Sequence, residues 1–203
     1  MHAGDQEIEV KFYVRDLAAV ERRLQALGAR CTAERVRETN LRFDTADGTL
    51  TRDRQVLRLR QDAHAVMTFK GPQQPGEDVS VRQEIEFQVS DFAAARRLLE
   101  ALGFQVSVIY EKFRATYVLG DLTIVLDEMP FGSFLEIEGP SSSSIEAAAR
   151  ELRLDWQARS TASYLALFHG LCQRRGLAAR HLTFDELSGV DVSPADLALR
   201  YAD

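Results

Sequence analysis

The sequence predicts an α+β fold in which antiparallel strands close into a barrel, with helices packed outside and ionised side chains lining the lumen. Two observations lead to this fold. Apolar and ionised residues alternate along most strand-like stretches, and the motif Glu-x-Glu recurs three times, each time before a helix-like segment. The three copies are Glu7-Ile8-Glu9, Glu84-Ile85-Glu86 and Glu136-Ile137-Glu138.

Each Glu-x-Glu copy opens a strand-to-helix unit. The first strand spans residues 6–14, and an apolar helical repeat follows it until Gly28. The second strand spans 82–89, with a helix to Leu102 before Gly103. The third strand spans 134–138, with a helix ending near Leu154.

Five further strands are predicted between these units, at 40–44, 55–61, 65–70, 110–119 and 122–128, with a loop at 71–76. A long helix is expected after Asp155, with Tyr164, Leu165, Phe168 and Leu171 on its buried side. Residues 1–175 are assigned to one domain, and residues 176–203 to a C-terminal tail of unknown role.

The period-two rule sorts the strand residues into two faces. The apolar face consists of Ile8, Val10, Leu57, Leu59, Phe69, Ile85, Phe87, Phe113 and Ile137. The opposite face is almost purely ionic: Glu7, Glu9, Lys11, Arg58, Arg60, Lys70, Arg82, Glu84, Glu86, Lys112, Arg114, Asp127, Glu136 and Glu138. A half-buried sheet with its polar side in water is the ordinary alternative. Amphipathic helices need the apolar face, so a barrel with a wet, charged lumen reconciles both facts.

This mixture of charges indicates what the lumen binds. Arginine and lysine donate hydrogen bonds to phosphate oxygens, and clustered carboxylates are hard oxygen ligands for Mg²⁺ or Mn²⁺. A polyphosphate chain bridged to carboxylates by divalent cations needs both kinds of side chain together.

The composition excludes other classes of protein. A net charge of −6 argues against a nucleic-acid binder, and two cysteines without ligand spacing favour a reducing compartment. No signal peptide or membrane-spanning apolar run is visible, so the expected location is cytoplasmic. Two-fold dimers are common enough that a homodimer is expected.

The order of the motifs resembles the CYTH domain, the triphosphate tunnel metalloenzyme superfamily of class IV adenylate cyclases and thiamine or inorganic triphosphatases. The resemblance covers about residues 7–168 and implies an eight-stranded tunnel. The matching motifs are Glu7-Ile8-Glu9-Val10-Lys11, Leu57-Arg58-Leu59-Arg60, Thr68-Phe69-Lys70-Gly71, Glu84-Ile85-Glu86, Glu111-Lys112-Phe113-Arg114, Leu126-Asp127 and Leu135-Glu136-Ile137-Glu138-Gly139.

The resemblance also implies roles for these residues. Lys11 would activate or orient the nucleophile, with a lowered pKa expected among arginines and metals; the alternative is a structural ion pair with Glu9. The substrate-binding set is Arg58, Arg60, Lys70, Arg82, Lys112 and Arg114. The set expected to bind one or two Mg²⁺ or Mn²⁺ ions is Glu7, Glu9, Asp127, Glu136 and Glu138, supported by Glu84 and Glu86.

One segment departs from the family pattern. Many triphosphatase relatives carry Tyr-Phe-Asp after the first helix, whereas this chain has Arg42-Phe43-Asp44. A mechanism that needs this tyrosine is therefore in doubt, and Arg42 is expected at the surface rather than at the phosphates.

Three functions follow. The favoured one is a metal-dependent triphosphatase acting on inorganic triphosphate, thiamine triphosphate or a nucleoside triphosphate. The second is a class IV adenylate cyclase forming cyclic AMP from ATP, and the third is a non-catalytic polyphosphate- or nucleotide-binding module. No purine-specific motif is visible, which favours hydrolysis over cyclisation.

Overall fold

A computed structural model describes residues 6–74 and 79–203, so the predicted loop at 71–76 lies partly outside the described residues. The helices are α1 Leu17–Ala26, α2 Thr49–Arg52, α3 Phe92–Ala101, α4 Ser142–Glu151, α5 Tyr164–Arg175 and α6 Pro194–Leu197, with a 3₁₀ turn at Trp156–Ala158. The strands are β1 Gln6–Val14, β2 Arg30–Asp44, β3 Val56–Gln61, β4 Ala65–Lys70, β5 Ser80–Val89, β6 Gln105–Leu119, β7 Leu122–Met129, β8 Gly132–Glu138 and the short β9 Arg159–Ser160.

The first eight strands ring around a tunnel-like interior. Their order is β5-β4-β3-β2-β6-β7-β8-β1, and β1 pairs with β5 as well as with β8. All of these pairings are antiparallel, and the β1–β5 register runs from Gln6 opposite Gln83 to Glu9 opposite Ser80. The predicted antiparallel eight-stranded sheet is confirmed.

Two helices cover the outer face of β1, β7 and β8. Val10, Ile124 and Ile137 are completely buried there against Leu24 of α1 and Ile145 of α4. Each helix begins at a side-chain cap: Asp16 accepts a hydrogen bond from the amide of Ala19, and Ser141 from that of Ser144. The alternation of the strands therefore positions the charged face toward the interior.

The helices do not cover the whole apolar face. Leu59 and Phe43 are buried under Leu99 of α3, but Ile85 and Phe87 of β5 are 47% and 55% exposed. The expectation that helices shield the apolar face is therefore wrong at Ile85 and Phe87, whereas Val81 and Val89 of the same strand pack in hydrophobic clusters.

Both β2 and β6 are longer than predicted. Each has 15 residues, whereas the sequence suggested strands only at 40–44 and 110–119. The early part of β2 is exposed and lacks apolar alternation, which is why it gave no signal.

The C-terminal tail packs along the unpaired edge of β6. Leu182 accepts a hydrogen bond from the amide of Glu111 and donates one to the carbonyl of Ile109, so it extends the sheet by one residue. Leu187 and Leu197 are buried against α5 and its surroundings. No helix within residues 6–74 and 79–203 combines the length and apolarity needed to cross a bilayer.

Candidate active site

The ring encloses a cavity of about 700 Å³, and most of the residues that line it are charged. Every strand from β1 to β8 except β7 contributes charged side chains, and β7 contributes Thr123 and Val125. Eight acidic and eight basic side chains line it: Glu7, Glu9, Glu38, Asp62, Glu84, Glu86, Glu136, Glu138, Lys11, Arg42, Arg58, Arg60, Lys70, Arg82, Lys112 and Arg114. All predicted site residues except Asp127 are thus brought together around one space, although their individual roles stay predictions.

Lys11 lies between two carboxylates of the first and third Glu-x-Glu copies. In the β1–β8 pairing, Glu9 lies opposite Glu138 and Lys11 opposite Glu136. The Lys11 Nζ is 2.8 Å from Glu9 and 3.1 Å from Glu136. Burial alone would lower the pKa of Lys11, but Glu136 and Glu9 outweigh it and raise this pKa above the ordinary value. The expected lowering is therefore wrong in the described structure, because carboxylates rather than arginines surround the ammonium group.

A second cluster lies where β1 meets β5. Lys70 donates to both oxygens of Glu7 at 2.6 Å and lies 3.3 Å from Glu84. Burial, followed by repulsion from Glu9 and Glu84, nevertheless raises the pKa of Glu7 to about 8. Burial and the same two neighbours raise the pKa of Glu138. Burial and the neighbouring carboxylates therefore raise these two pKa values by more than Lys70 lowers them.

This local excess of carboxylates fits a divalent cation in its chemistry. Closely spaced carboxylate oxygens are ligands for Mg²⁺ and Mn²⁺. A cation would offset both the burial and the repulsion that raise the pKa values of Glu7 and Glu138. In the described residues, no three acidic, histidine or cysteine side chains are arranged as a preformed metal site. Metal binding would therefore turn at least one carboxylate away from its lysine or arginine partner.

Asp127 lies behind the cavity wall. It is fully buried and accepts hydrogen bonds from Lys112 at 3.1 Å, from the Nε of Arg114 at 2.6 Å and from the hydroxyl of Tyr164 at 2.8 Å. Arg114 also reaches Glu136 at 2.7 Å. Asp127 therefore holds two basic side chains in position toward the cavity, and its role as a metal ligand stays a prediction.

Two functional neighbours were missed by the sequence analysis. Glu38 lies 3.6 Å from Lys112 and 3.8 Å from Arg60. Predicting it from the sequence would have required a strand β2 that begins before residue 40. Burial raises the pKa of Glu38, but Lys112, Arg114 and the nearby arginines of β3 lower it to about 2.

Tyr164 was expected only as a buried residue of the late helix. It is the first residue of α5 and lines the cavity beside Leu165. Its ring lies 5.4 Å from the Nζ of Lys11 and 5.5 Å from that of Lys112. No local pattern distinguishes a tyrosine that packs in a core from one that reaches a cavity.

The basic wall centres on Arg58. Its guanidinium contacts the hydroxyl of Tyr110 at 3.3 Å, that of Thr68 at 3.0 Å and Glu86 at 3.3 Å. Arg60 lies 3.3 Å from Asp62 and 3.9 Å from Glu86. Glu86 thus lies within ion-pair distance of both arginines, and its supporting role stays a prediction.

Arg42 was expected at the surface, and this expectation is wrong. It is partly buried and lines the cavity, because Glu38, Asn40 and Arg42 share the inner face of β2. The register places Arg42 directly opposite Arg58 of β3.

Comparison with known proteins gives both a family match and structural likenesses. The family model described as the CYTH domain matches residues 5–161. A candidate adenylate cyclase from Vibrio parahaemolyticus superposes with a TM-score of 0.74 at 22% identity, covering 82% of this chain and 99% of its own. No curated protein matches the chain.

Two further solved structures are similar. A protein from Pyrococcus horikoshii OT3 has a TM-score of 0.66 at 27% identity, covering 78% of this chain and 97% of its own. A candidate adenylyl cyclase from Hippeastrum, reported to have a dominant triphosphatase activity, has a TM-score of 0.58 at 24% identity, with coverages of 80% and 95%.

Proposed function

Because the chain belongs to the CYTH domain family, we propose that it is a divalent-metal-dependent hydrolase of a triphosphate substrate. Inorganic triphosphate, thiamine triphosphate and a nucleoside triphosphate are the candidate substrates. The observation that carries the proposal is the cavity in which eight basic and eight acidic side chains meet. The proposal includes closure of the ring into a barrel, which the β1–β5 pairing supports.

The basic side chains are proposed to bind phosphate oxygens. Arginine forms paired hydrogen bonds with phosphate, and lysine adds a compact positive charge. Arg58 and Arg114 are held in place by Glu86 and Asp127, so little side-chain freedom would be lost on binding. The proposed phosphate-binding residues are Arg58, Arg60, Lys70, Arg82, Lys112 and Arg114.

The carboxylates of β1 and β8 are proposed to hold one or two Mg²⁺ or Mn²⁺ ions. The ligands would come from Glu7, Glu9, Glu136 and Glu138, which line one wall of the cavity. A divalent ion held there would neutralise charge on phosphate oxygens and help to position the attacking water.

In the proposed reaction a water oxygen attacks the terminal phosphorus, and the bond from that phosphorus to its bridging oxygen breaks. The products are inorganic phosphate and the shortened chain, and the proton released by the water passes to solvent or to a phosphate oxygen. Lys11, located between Glu9 and Glu136, is proposed to orient the water or a phosphate oxygen by donating a hydrogen bond.

Cyclisation of ATP would need the same phosphate-binding residues together with a binding pocket for the adenine base. The two aromatic rings that line the cavity are engaged through their hydroxyls, Tyr110 with Arg58 and Tyr164 with Asp127. Hydrolysis does not require an aromatic ring for stacking on a base, and this supports hydrolysis over cyclisation.

The test is turnover by purified protein with Mg²⁺ or Mn²⁺, supplied separately with inorganic triphosphate, thiamine triphosphate and ATP. Both released phosphate and cyclic AMP are measured. We expect phosphate and no cyclic AMP. Cyclic AMP from ATP would favour a cyclase, and tight triphosphate binding without turnover would favour a binding module.

A further inference from the structure

Three arginines from three strands line one part of the cavity. Arg42 of β2 lies directly opposite Arg58 of β3, and Arg82 projects from β5. Like charges placed directly opposite each other on paired strands repel. Burial, together with Arg58 and Arg82, lowers the pKa of Arg42 although Tyr110 opposes this shift, so Arg42 interacts with both of the other guanidinium groups.

Within ion-pair distance, carboxylates of the described residues compensate this charge only at Arg58, although Glu7 lies opposite Arg82 in the β1–β5 register. Arg58 has Glu86 at 3.3 Å, but neither Arg42 nor Arg82 forms an ion pair with any residue in 6–74 or 79–203. The Nε atoms of all three are buried and have no hydrogen-bond partner in these ranges. Buried donors without acceptors are costly, and an anion is the ligand that would satisfy several guanidinium groups together.

Tyr110 completes this group from the neighbouring strand β6. It lies opposite Asn40 of β2 and lines the cavity, with its hydroxyl 3.3 Å from Arg58. A tyrosine hydroxyl of β6 thus reaches Arg58 of β3 from the other side of β2.

Arg42 and Arg58 lie on the far side of the ring from the carboxylates of β1 and β8. In the strand order, β2 and β3 are each three or four places from β1 and β8, which carry Glu9, Glu136 and Glu138. Arg82 is instead on β5, next to β1, and lies opposite Glu7. In the proposed reaction the attacked terminal phosphate lies at the carboxylate wall, so the opposite end of the chain would point toward Arg42 and Arg58. That opposite end is a free phosphate in inorganic triphosphate and an esterified phosphate in ATP.

We propose that Arg42, Arg82 and Tyr110, together with Arg58, form an anion subsite for the free terminal phosphate of an unsubstituted inorganic phosphate chain. The inference deepens the proposed function and rests on it. A free terminal phosphate has three unesterified oxygens and a second charge, whereas the esterified phosphate of a nucleotide or thiamine triphosphate has fewer of both. Arg42 is thus a specificity-determining residue.

The test compares Arg42→Gln with the unaltered protein on inorganic triphosphate and on ATP. We expect the KM for inorganic triphosphate to rise about tenfold with kcat little changed, since one charged hydrogen-bonding partner is lost. The KM for ATP should change less than about twofold. Arg37→Gln is the matched control, because Arg37 is on the same strand but points outward to Glu111.

Calorimetric binding of non-hydrolysable imido analogues of inorganic triphosphate and of ATP, with Mg²⁺ present, separates this inference from the proposed function. A selective loss of inorganic triphosphate binding in Arg42→Gln would support the subsite even if no substrate were hydrolysed. Equal weakening of both ligands, or no change in either, would overturn it. Hydrolysis of triphosphates with unaltered selectivity in Arg42→Gln would leave the proposed function standing and the subsite refuted.

Discussion

The hydroxyl of Tyr164 donates a 2.8 Å hydrogen bond to the Oδ2 of Asp127 and so ties the first turn of α5 to the inner wall of the ring. The same carboxylate accepts hydrogen bonds from Lys112 and Arg114, two proposed phosphate-binding side chains. A residue at the beginning of a late helix is therefore linked, through one buried carboxylate, to the basic wall of the cavity.

Tyr164→Phe should destabilise the protein and weaken substrate binding. Loss of the hydroxyl removes one of three donors to a fully buried carboxylate, which costs about 1–3 kcal/mol of unfolding free energy. The KM for triphosphate should rise, because Asp127 would hold Lys112 and Arg114 less firmly.

Urea unfolding and steady-state kinetics check this prediction. Tyr117→Phe is a matched control, because the Tyr117 hydroxyl donates to Glu21 on the outside of the ring. It should lose stability without a change in KM, and an equal KM effect in both variants would refute the link through Asp127.

Glu136→Gln should abolish metal-dependent turnover while the fold is retained. The substitution removes a negative charge 3.1 Å from Lys11 and 2.7 Å from Arg114, and with it one proposed metal ligand. We expect kcat/KM to fall about 100-fold or more, because changes to residues that only support metal ligands already cost up to about 100-fold. The thermal stabilisation produced by Mg²⁺ or Mn²⁺ should also disappear.

Glu128→Gln is the control for this variant, since Glu128 is on the adjacent strand but pairs with Arg35 at the surface. It should keep both turnover and the metal-induced shift in Tm. Retention of either property in Glu136→Gln would remove Glu136 from the proposed metal site.

Arg58→Ala should chiefly raise KM, with a smaller effect on kcat. Arg58 is largely buried at the cavity and is oriented by Thr68 and Glu86, so its removal takes away a preorganised phosphate donor. A KM increase of about 10- to 100-fold is expected from the loss of a charged hydrogen bond. Arg96→Ala, at an exposed pair with Glu100, is the control, and an unaltered KM in Arg58→Ala would contradict the proposed phosphate site.

Glu38 should make stability depend on pH in the acid range. Its pKa is lowered from 4.5 to about 2, so its contribution is fully present above the unfolded-state pKa near 4.5. That contribution is lost as pH falls from about 4.5 to about 2, and it amounts to about 3 kcal/mol.

Unfolding free energies of Glu38→Gln, measured from pH 7 down to pH 2, check this dependence. The variant should be less stable at pH 7, and the difference should shrink toward pH 2. Glu34→Gln, exposed on the same strand, should follow the unaltered protein throughout. A difference for Glu38→Gln that does not vary with pH would exclude the ionic origin.

The ring and most of its lining could be predicted because the period of a strand fixes which side chains share a face. Glu7, Glu9 and Lys11 are two residues apart, so placing any one of them in the cavity places the others there as well. Position along the chain is sufficient for that inference, and the residues of the Glu-x-Glu copies accordingly line one cavity.

The remaining features depend on which strands become neighbours. Arg42 lines the cavity because β2 pairs with β3 on one side and β6 on the other, and no local pattern carries that pairing. Asp127 lies on the inner face too, but Arg114 and Tyr164 from other elements cover it. The edge pairing of Leu182 with β6 is likewise a contact between distant segments.

The equal numbers of acidic and basic side chains around the cavity have a thermodynamic consequence. Their formal charges cancel, so a polyanion entering alone leaves an excess of negative charge, and a divalent cation entering alone leaves an excess of positive charge. If the cavity binds both ligands as proposed, each would increase the affinity for the other, and by linkage the factor would be the same in both directions. Such a cavity would respond to the concentrations of anion and cation jointly and would take them up as a pair.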